Sequence, residues 1–200
     1  MTVRVQDDGS LLVTEQITYA FDGSFTGGYR EIPLRPGETI DQITVEEDGR
    51  EYTPGASAEL GSSGAPGTFG VADLGGRVRV VWHYAATDEA RTFVLDNRLR
   101  GLAVAYDDVV DVNLRVWGDE WDVRLDRLTA RMMLPPADLA AGELLVYGHP
   151  ASVPGSTTLG DGGRNPALEA TGVPAGQWVE MRVVFPRRVL SGTSGAATAS

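Results

Sequence analysis

Apolar side chains recur at every second position along most of this chain, and that period constrains the fold more than any other feature of the sequence. Leu11, Val13, Ile17, Tyr19 and Phe21 share one face of an extended segment, with Leu12, Thr14, Gln16, Thr18 and Ala20 on the other. Val110, Val112, Leu114 and Val116 alternate with Asp111, Asn113 and Arg115, and Val179, Met181, Val183 and Phe185 alternate with Glu180 and Arg182. Such alternation gives a strand one dry face and one wet face, whereas a helix would need a period of 3.6. The same reading predicts strands over 2–6, 40–47, 50–53, 78–84, 91–95, 121–133 and 143–147. Asp8-Gly9 and Asp48-Gly49 supply hairpin turn chemistry, pairing 2–6 with 11–21 and 40–47 with 50–53. No amphipathic helical stretch separates the strands, which argues against a parallel α/β fold. The expectation is an all-β, antiparallel β-sandwich of roughly ten strands with long Gly-rich loops.

A length of 200 residues suits a single domain over 1–190, or two packed β lobes within it. Cysteine is absent, which removes disulfides, thiolate metal sites and thiol nucleophiles together. A net charge of -11 repels a phosphate backbone, so nucleic acid is not an expected partner. All 17 basic residues are arginine, a bias to which no functional weight attaches. No run of 18 apolar residues and no signal-peptide pattern occurs in the stretch. Pro54 to Gly76 holds seven glycines in 23 residues, and Val153 to Gly163 has a similar character; both read as mobile surface loops. Ser191 to Ser200, SGTSGAATAS, reads as a flexible spacer leading toward a membrane helix outside the sequence.

Glu15 is the most informative single residue, because the alternation places it on the same dry face as Val13 and Ile17. A buried carboxylate is costly unless paired, so the strand must bulge there or Glu15 must meet a cation. Arg30 is the candidate partner for a structural ion pair. Its fork suits a carboxylate, and Gly27-Gly28 just before it allow a corner that folds it back over the strand. FTGGYREIPL, Phe25 to Leu34, reads as a segment crossing between sheets and presents Tyr29 at the surface. Trp117 and Trp121 flank Gly118-Asp119-Glu120 in what reads as a hairpin turn. Such a pair either closes the end of a core or offers a sugar-stacking platform, with core closure the commoner use. Tyr29, Trp117 and Trp121 are the candidate interaction surface. The acidic groups at Asp107, Asp108 and Asp111, and at Asp119, Glu120 and Asp122, lack the calcium-loop pattern and read as solvated loop charge. No metal site, cofactor motif or catalytic motif is present, and the histidine inventory is His83 and His149. A triad or carboxylate pair assembled in space has no fixed spacing and stays open.

The ordered features DGSLLVTEQITYAF, FTGGYREIPL and DDVVDVNLRVWGDEWDVRLDRLTARMMLP resemble the N-terminal region of the predicted bacterial membrane proteins called domain of unknown function 2207. Glu15, Gly28, Tyr29, Arg30, Ile32 and Pro33 carry the resemblance, together with Trp117, Gly118, Asp119 and Trp121. It implies an excised ectodomain on the extracytoplasmic face of the cell membrane, anchored by helices outside this stretch. It supplies no catalytic residue. The resulting expectation is a binding or interaction domain whose partner is an envelope component or a protein. Two alternatives remain, a hydrolase acting on envelope polysaccharide or peptide and a structural self-assembly module.

Overall fold

The computed structural model describes residues 1–160 and 163–199, so Asp161, Gly162 and Ser200, which belong to the expected second loop and the expected spacer, lie outside the described residues. Alternation in the sequence becomes alternation in burial. In chain order the first nine strands are β1 (Thr2–Val5), β2 (Leu11–Ala20), β3 (Ser24–Pro33), β4 (Thr39–Glu47), β5 (Arg50–Glu51), β6 (Thr53–Pro54), β7 (Thr68–Asp73), β8 (Arg77–Thr87) and β9 (Ala90–Arg100). There follow β10 (Ala103–Ala105), β11 (Val109–Trp117), β12 (Leu125–Met133), β13 (Leu145–His149), β14 (Gly155–Thr158), β15 (Ala167–Val173), β16 (Val179–Pro186) and β17 (Ala197–Thr198). A 3-10 turn, Arg187–Val189, follows β16.

The chain divides into two compact units, one of residues 14–97 and one of residues 1–13 with 98 onward. In the 14–97 unit the strands run in the orders β3-β8-β7-β6 and β2-β9-β4-β5. Its core is aromatic: Phe93, fully buried, meets the rings of Tyr84 at 4.8 Å, Trp82 at 5.7 Å, Tyr19 at 6.1 Å and Tyr52 at 6.4 Å. Val45, Phe69, Val80 and Leu95 complete it. The other unit has the orders β14-β15-β12-β1-β2 and β13-β16-β11-β10-β17. Its buried side chains are the alternating sets expected from the sequence, among them Val110, Val112 and Leu114 on β11 and Met181, Val183 and Phe185 on β16.

The all-β class stands, but the strands form three mixed sheets rather than one antiparallel sandwich. β1 runs parallel to β12, β10 to β17 and β6 to β7. The reason is that period 2 reports which face of a strand is buried and carries no information about the direction of its neighbour. Strands of two to four residues are also too short to show a period, so the described elements outnumber the roughly ten expected. The Gly-rich stretch expected as a mobile loop contains β7, and the second such stretch contains β14. The segment between Trp117 and Trp121 is not a hairpin turn: β11 pairs with β10 and β16, whereas β12 pairs with β1 and β15. It carries the chain from one sheet to another.

FTGGYREIPL is likewise not a crossing segment but most of a ten-residue strand, β3, which pairs antiparallel with β8 alone. Pro33 is its last residue, where a missing N–H costs no ladder bond. The glycines are explained by what lies against them. A Cβ on Gly28 would stand 2.9 Å from Cζ2 and 3.0 Å from Cε2 of the cross-strand Trp82, so the indole lies flat where a side chain would otherwise project. Gly28→Ala should therefore lower stability by about 1–3 kcal/mol in urea denaturation, although alanine relieves the backbone entropy of glycine. An unchanged midpoint would show that Trp82 has room to move.

Candidate functional site: an edge strand pinned by a buried ion pair

Among the described residues β3 has one hydrogen-bonded neighbour, so its other edge is open. Cross-strand pairing fixes what it shows on each face. Gly28 and Arg30 lie opposite Trp82 and Val80, facing the aromatic core, while Tyr29 lies opposite Val81 on the reverse face. A register shift between Phe25 and Gly27 sets one residue of β3, Thr26, against two of β8, Tyr84 and Ala85. Phe25 and Tyr29 are 44% and 42% exposed, which makes this half of the strand an aromatic edge.

The structure brings Glu15 and Arg30 together. Arg30 Nε donates to Glu15 Oε2 at 3.1 Å, and Arg30 Nη1 donates to the Glu31 carbonyl at 2.7 Å. Glu15 is 8% exposed and Arg30 4%, so the pair sits in the interior of the 14–97 unit. It ties the edge strand to β2. Farther along, Glu31 receives Arg79 at 2.6 Å and Arg77 at 3.2 Å, which guards the Glu31 end of the strand with charge.

His83, beside Trp82 on β8, is 2% exposed, and its Nε2 has no hydrogen-bond partner among the described residues. A Cβ on Gly64 would fall 2.3 Å from its Cδ2, so the backbone of the Gly-rich segment lies directly on the imidazole. That segment packs as a cover over this face of the sheet, because glycine lets the main chain approach a ring closely. No sequence signal showed it, since low side-chain complexity looks the same in a cover and in a loose loop.

A cavity of about 510 Å³ in the same unit is lined by Glu47, Tyr52, Tyr84 and Arg91, with Arg50 and Glu51 at its side. The Glu47 and Arg91 charges are matched to each other. Arg91 grips Glu47 through Nε and through Nη2 at 2.6 Å, and the Tyr52 hydroxyl donates to Glu47 at 2.7 Å. The Arg91 hydrogen bonds hold the Glu47 carboxyl below its usual range, against the upward push of burial. Burial pushes the Tyr84 hydroxyl up to about 12, with Arg91 opposing. In the other unit a cavity of about 300 Å³ is lined in part by His149, Ser156, Thr157 and Glu169. Neither cavity has His83 in its lining.

Trp117 and Trp121 are stacked, with centroids 4.4 Å apart and planes 8° from parallel. Trp117 is buried and Trp121 half-buried, so the rings spend their inner faces on each other. Gly176 N–H donates to the Trp121 carbonyl at 2.9 Å, clasping this turn to the one before β16. They lie in a different unit from Tyr29, which remains as the exposed member on the edge strand. Of the acidic residues, Asp111 is held by Arg182 at 2.6 Å and Asp119 by Arg115 at 3.1 Å.

A family model described as "Predicted membrane protein (DUF2207) N-terminal domain" matches residues 1–185. The chain belongs to this family. No curated protein matches the DUF2207 chain. Among solved structures it is similar to a Parabacteroides distasonis protein provisionally described as a protease, at 13% identity and a TM-score of 0.43. The match covers 92% of the DUF2207 chain and 38% of that protein, so the chain spans well under half of its length. Among the described residues no helix is long and apolar enough to cross a membrane.

Two outcomes follow for the polar interior of the DUF2207 domain. Arg30→Ala should cost about 3–5 kcal/mol in urea denaturation by stranding Glu15, and replacing both partners with apolar residues, Glu15→Leu with Arg30→Met, should recover most of that loss. A fully additive double variant would remove the claim of a coupled pair. Glu47, whose folded carboxyl titrates below its unfolded value, stabilises the fold above about pH 4.3, and that contribution is lost as pH falls through the lowered value. Glu47→Gln should accordingly flatten the acid limb of a plot of stability against pH.

Proposed function

We propose that this domain is the extracytoplasmic interaction domain of a membrane-anchored protein and that it takes a partner strand along the open edge of β3. The observation that carries the reading is the edge itself. β3 is ten residues long with a single neighbour among the described residues, and Phe25 and Tyr29 stand exposed on its unguarded half. Open, flat edges are usually blunted by charge or proline, and here both devices stand at the Glu31–Pro33 end. The half from Ser24 to Tyr29 keeps only the register shift against β8. An extended segment added there gains main-chain hydrogen bonds, and two exposed rings give it side-chain selectivity.

Binding is preferred to hydrolysis because, in the unit that carries the edge strand, Glu47 is already engaged and His83 is covered. Glu47 is saturated by Arg91 and Tyr52, and His83 lies beneath the Gly64 backbone. Membership of a membrane-protein family and the resemblance of the Glu15-to-Pro33 segment support attachment to a membrane. A second reading, pairing of two copies through the same edge, draws on the same open strand.

Residues 1–200 hold no cysteine, so Tyr29→Cys places a single thiol in the domain, on the edge strand, and the unsubstituted protein is the labelling control. In intact cells expressing the full-length protein, a membrane-impermeant maleimide should label that position; labelling only after permeabilisation would place the domain on the opposite face. Phe25→Lys with Tyr29→Lys should weaken capture of the native envelope partner by tenfold or more, about 1.4 kcal/mol, with unchanged folding. Should light scattering show a dimer that the same double variant converts to a monomer, the partner is a second copy.

A further inference from the structure

Composition marks 191–200 as a spacer, yet its described residues are held along a groove of the 1–13 and 98-onward unit. Gly192 N–H donates to the Asp7 carbonyl at 3.0 Å and Gly195 N–H to the Asp8 carbonyl at 2.8 Å. Gly101 N–H donates to the Gly195 carbonyl at 2.8 Å, and Ala199 N–H to the Ala105 carbonyl at 3.0 Å. Between these, β17 lies parallel to β10, with Ala197 beside Val104 and Thr198 beside Ala105. Every one of these contacts is made by backbone.

The groove is selective by size. A Cβ on Gly195 would stand 2.7 Å from the Ser10 amide nitrogen and 2.8 Å from Ser10 Cβ, so main chain lies against main chain there. In the same turn Gly9 has φ +83°, and a Cβ on it would come within 2.7 Å of Ala196 Cβ. The space admits glycine at 195, and Gly9 in turn leaves room for the Ala196 side chain. By contrast nothing lies within 4 Å of a Cβ on Gly192.

The groove is also preformed. Asp8 Oδ1 accepts from the Ser10 amide at 2.9 Å and from its hydroxyl at 2.6 Å, which closes the turn. Arg98 holds it from behind, donating to Asp8 Oδ2 at 2.9 Å and to Ser10 Oγ at 2.8 and 3.0 Å. Ser10 is fully buried beneath the docked segment. A turn fixed in this way presents the Asp7 and Asp8 carbonyls without further ordering, the condition under which strand addition is tightest.

We propose that the groove between the Asp7–Ser10 turn and β10 is a binding site for an extended peptide of glycine and alanine type, filled here in cis by residues 192–199. The occupant lies beyond the 1–185 stretch matched by the family model. Because the segment is tethered, its effective concentration is high and it outcompetes free peptide, so that a strand of the same chemistry would displace it only at a higher concentration.

Amide hydrogen exchange on the full chain tests the site. In the wild type the amides of Gly195, Ala199 and Gly101 should exchange at least about tenfold more slowly than an unstructured glycine-rich segment. Gly195→Leu should abolish protection at 195 and 199 and expose the Gly101 amide, while Gly192→Ala should leave all three protected. The synthetic peptide SGTSGAATA, added to the Gly195→Leu chain, should restore protection at Gly101, and the wild type should not take it up. Random-coil exchange at 195 and 199 in the wild type would overturn the proposal without any variant, so a Gly195→Leu chain that failed to fold would not shelter it. A folded Gly195→Leu chain that ignored the peptide would overturn it equally.

Discussion

A carboxylate on the buried face of a strand has to be met by a cation or it opens the strand, and the 14–97 unit is arranged around that requirement. Arg30 reaches Glu15 from β3, a strand with a neighbour on one side only. Without the pair, β3 would be held by its ladder with β8 and by the close fit of Gly28 on Trp82. With it, the position of β3 along β8 is tied to β2, because a shift by one residue would turn Arg30 outward and strand Glu15. Specificity of register is therefore the best account of why an ion pair is kept where an apolar pair would pack. An open edge can serve as a docking strand only if it stays in one place.

The same logic recurs in the rest of the polar interior. Glu47 is gripped by Arg91 and capped by Tyr52, and Asp8 is gripped by Arg98 and closed by Ser10. In each case a planar guanidinium satisfies two acceptors at once, which a lysine could not do with equal geometry. These clusters fix turns and strand ends. They leave the protein with few uncommitted charged groups inside and with its unpaired backbone at strand edges, so recognition by main-chain addition suits it better than chemistry in a cleft.

Glycine has three distinct roles in this chain, and composition alone merges them. Gly28 makes room for an indole, Gly64 presses main chain onto an imidazole, and Gly195 admits main chain against main chain. The Gly-rich stretches look like loose loops because the signal for order lies in the partner surface and not in the stretch itself. That is also why β7, β14 and β17 were not legible beforehand.

What the sequence determined by itself was everything carried by period and by charge cost: the all-β class, most of the long strands, the burial of Glu15 and the choice of Arg30 as its partner. Those properties are local, or follow from the expense of an unpaired charge. Tertiary structure alone decided which strands became neighbours and in which direction, that β3 is a strand rather than a corner, that Trp117 and Trp121 stack on each other, and that the C-terminal residues dock. Each depends on contacts between residues far apart in the chain, and a period-2 pattern, which fixes the buried face, is the same whichever strand lies alongside.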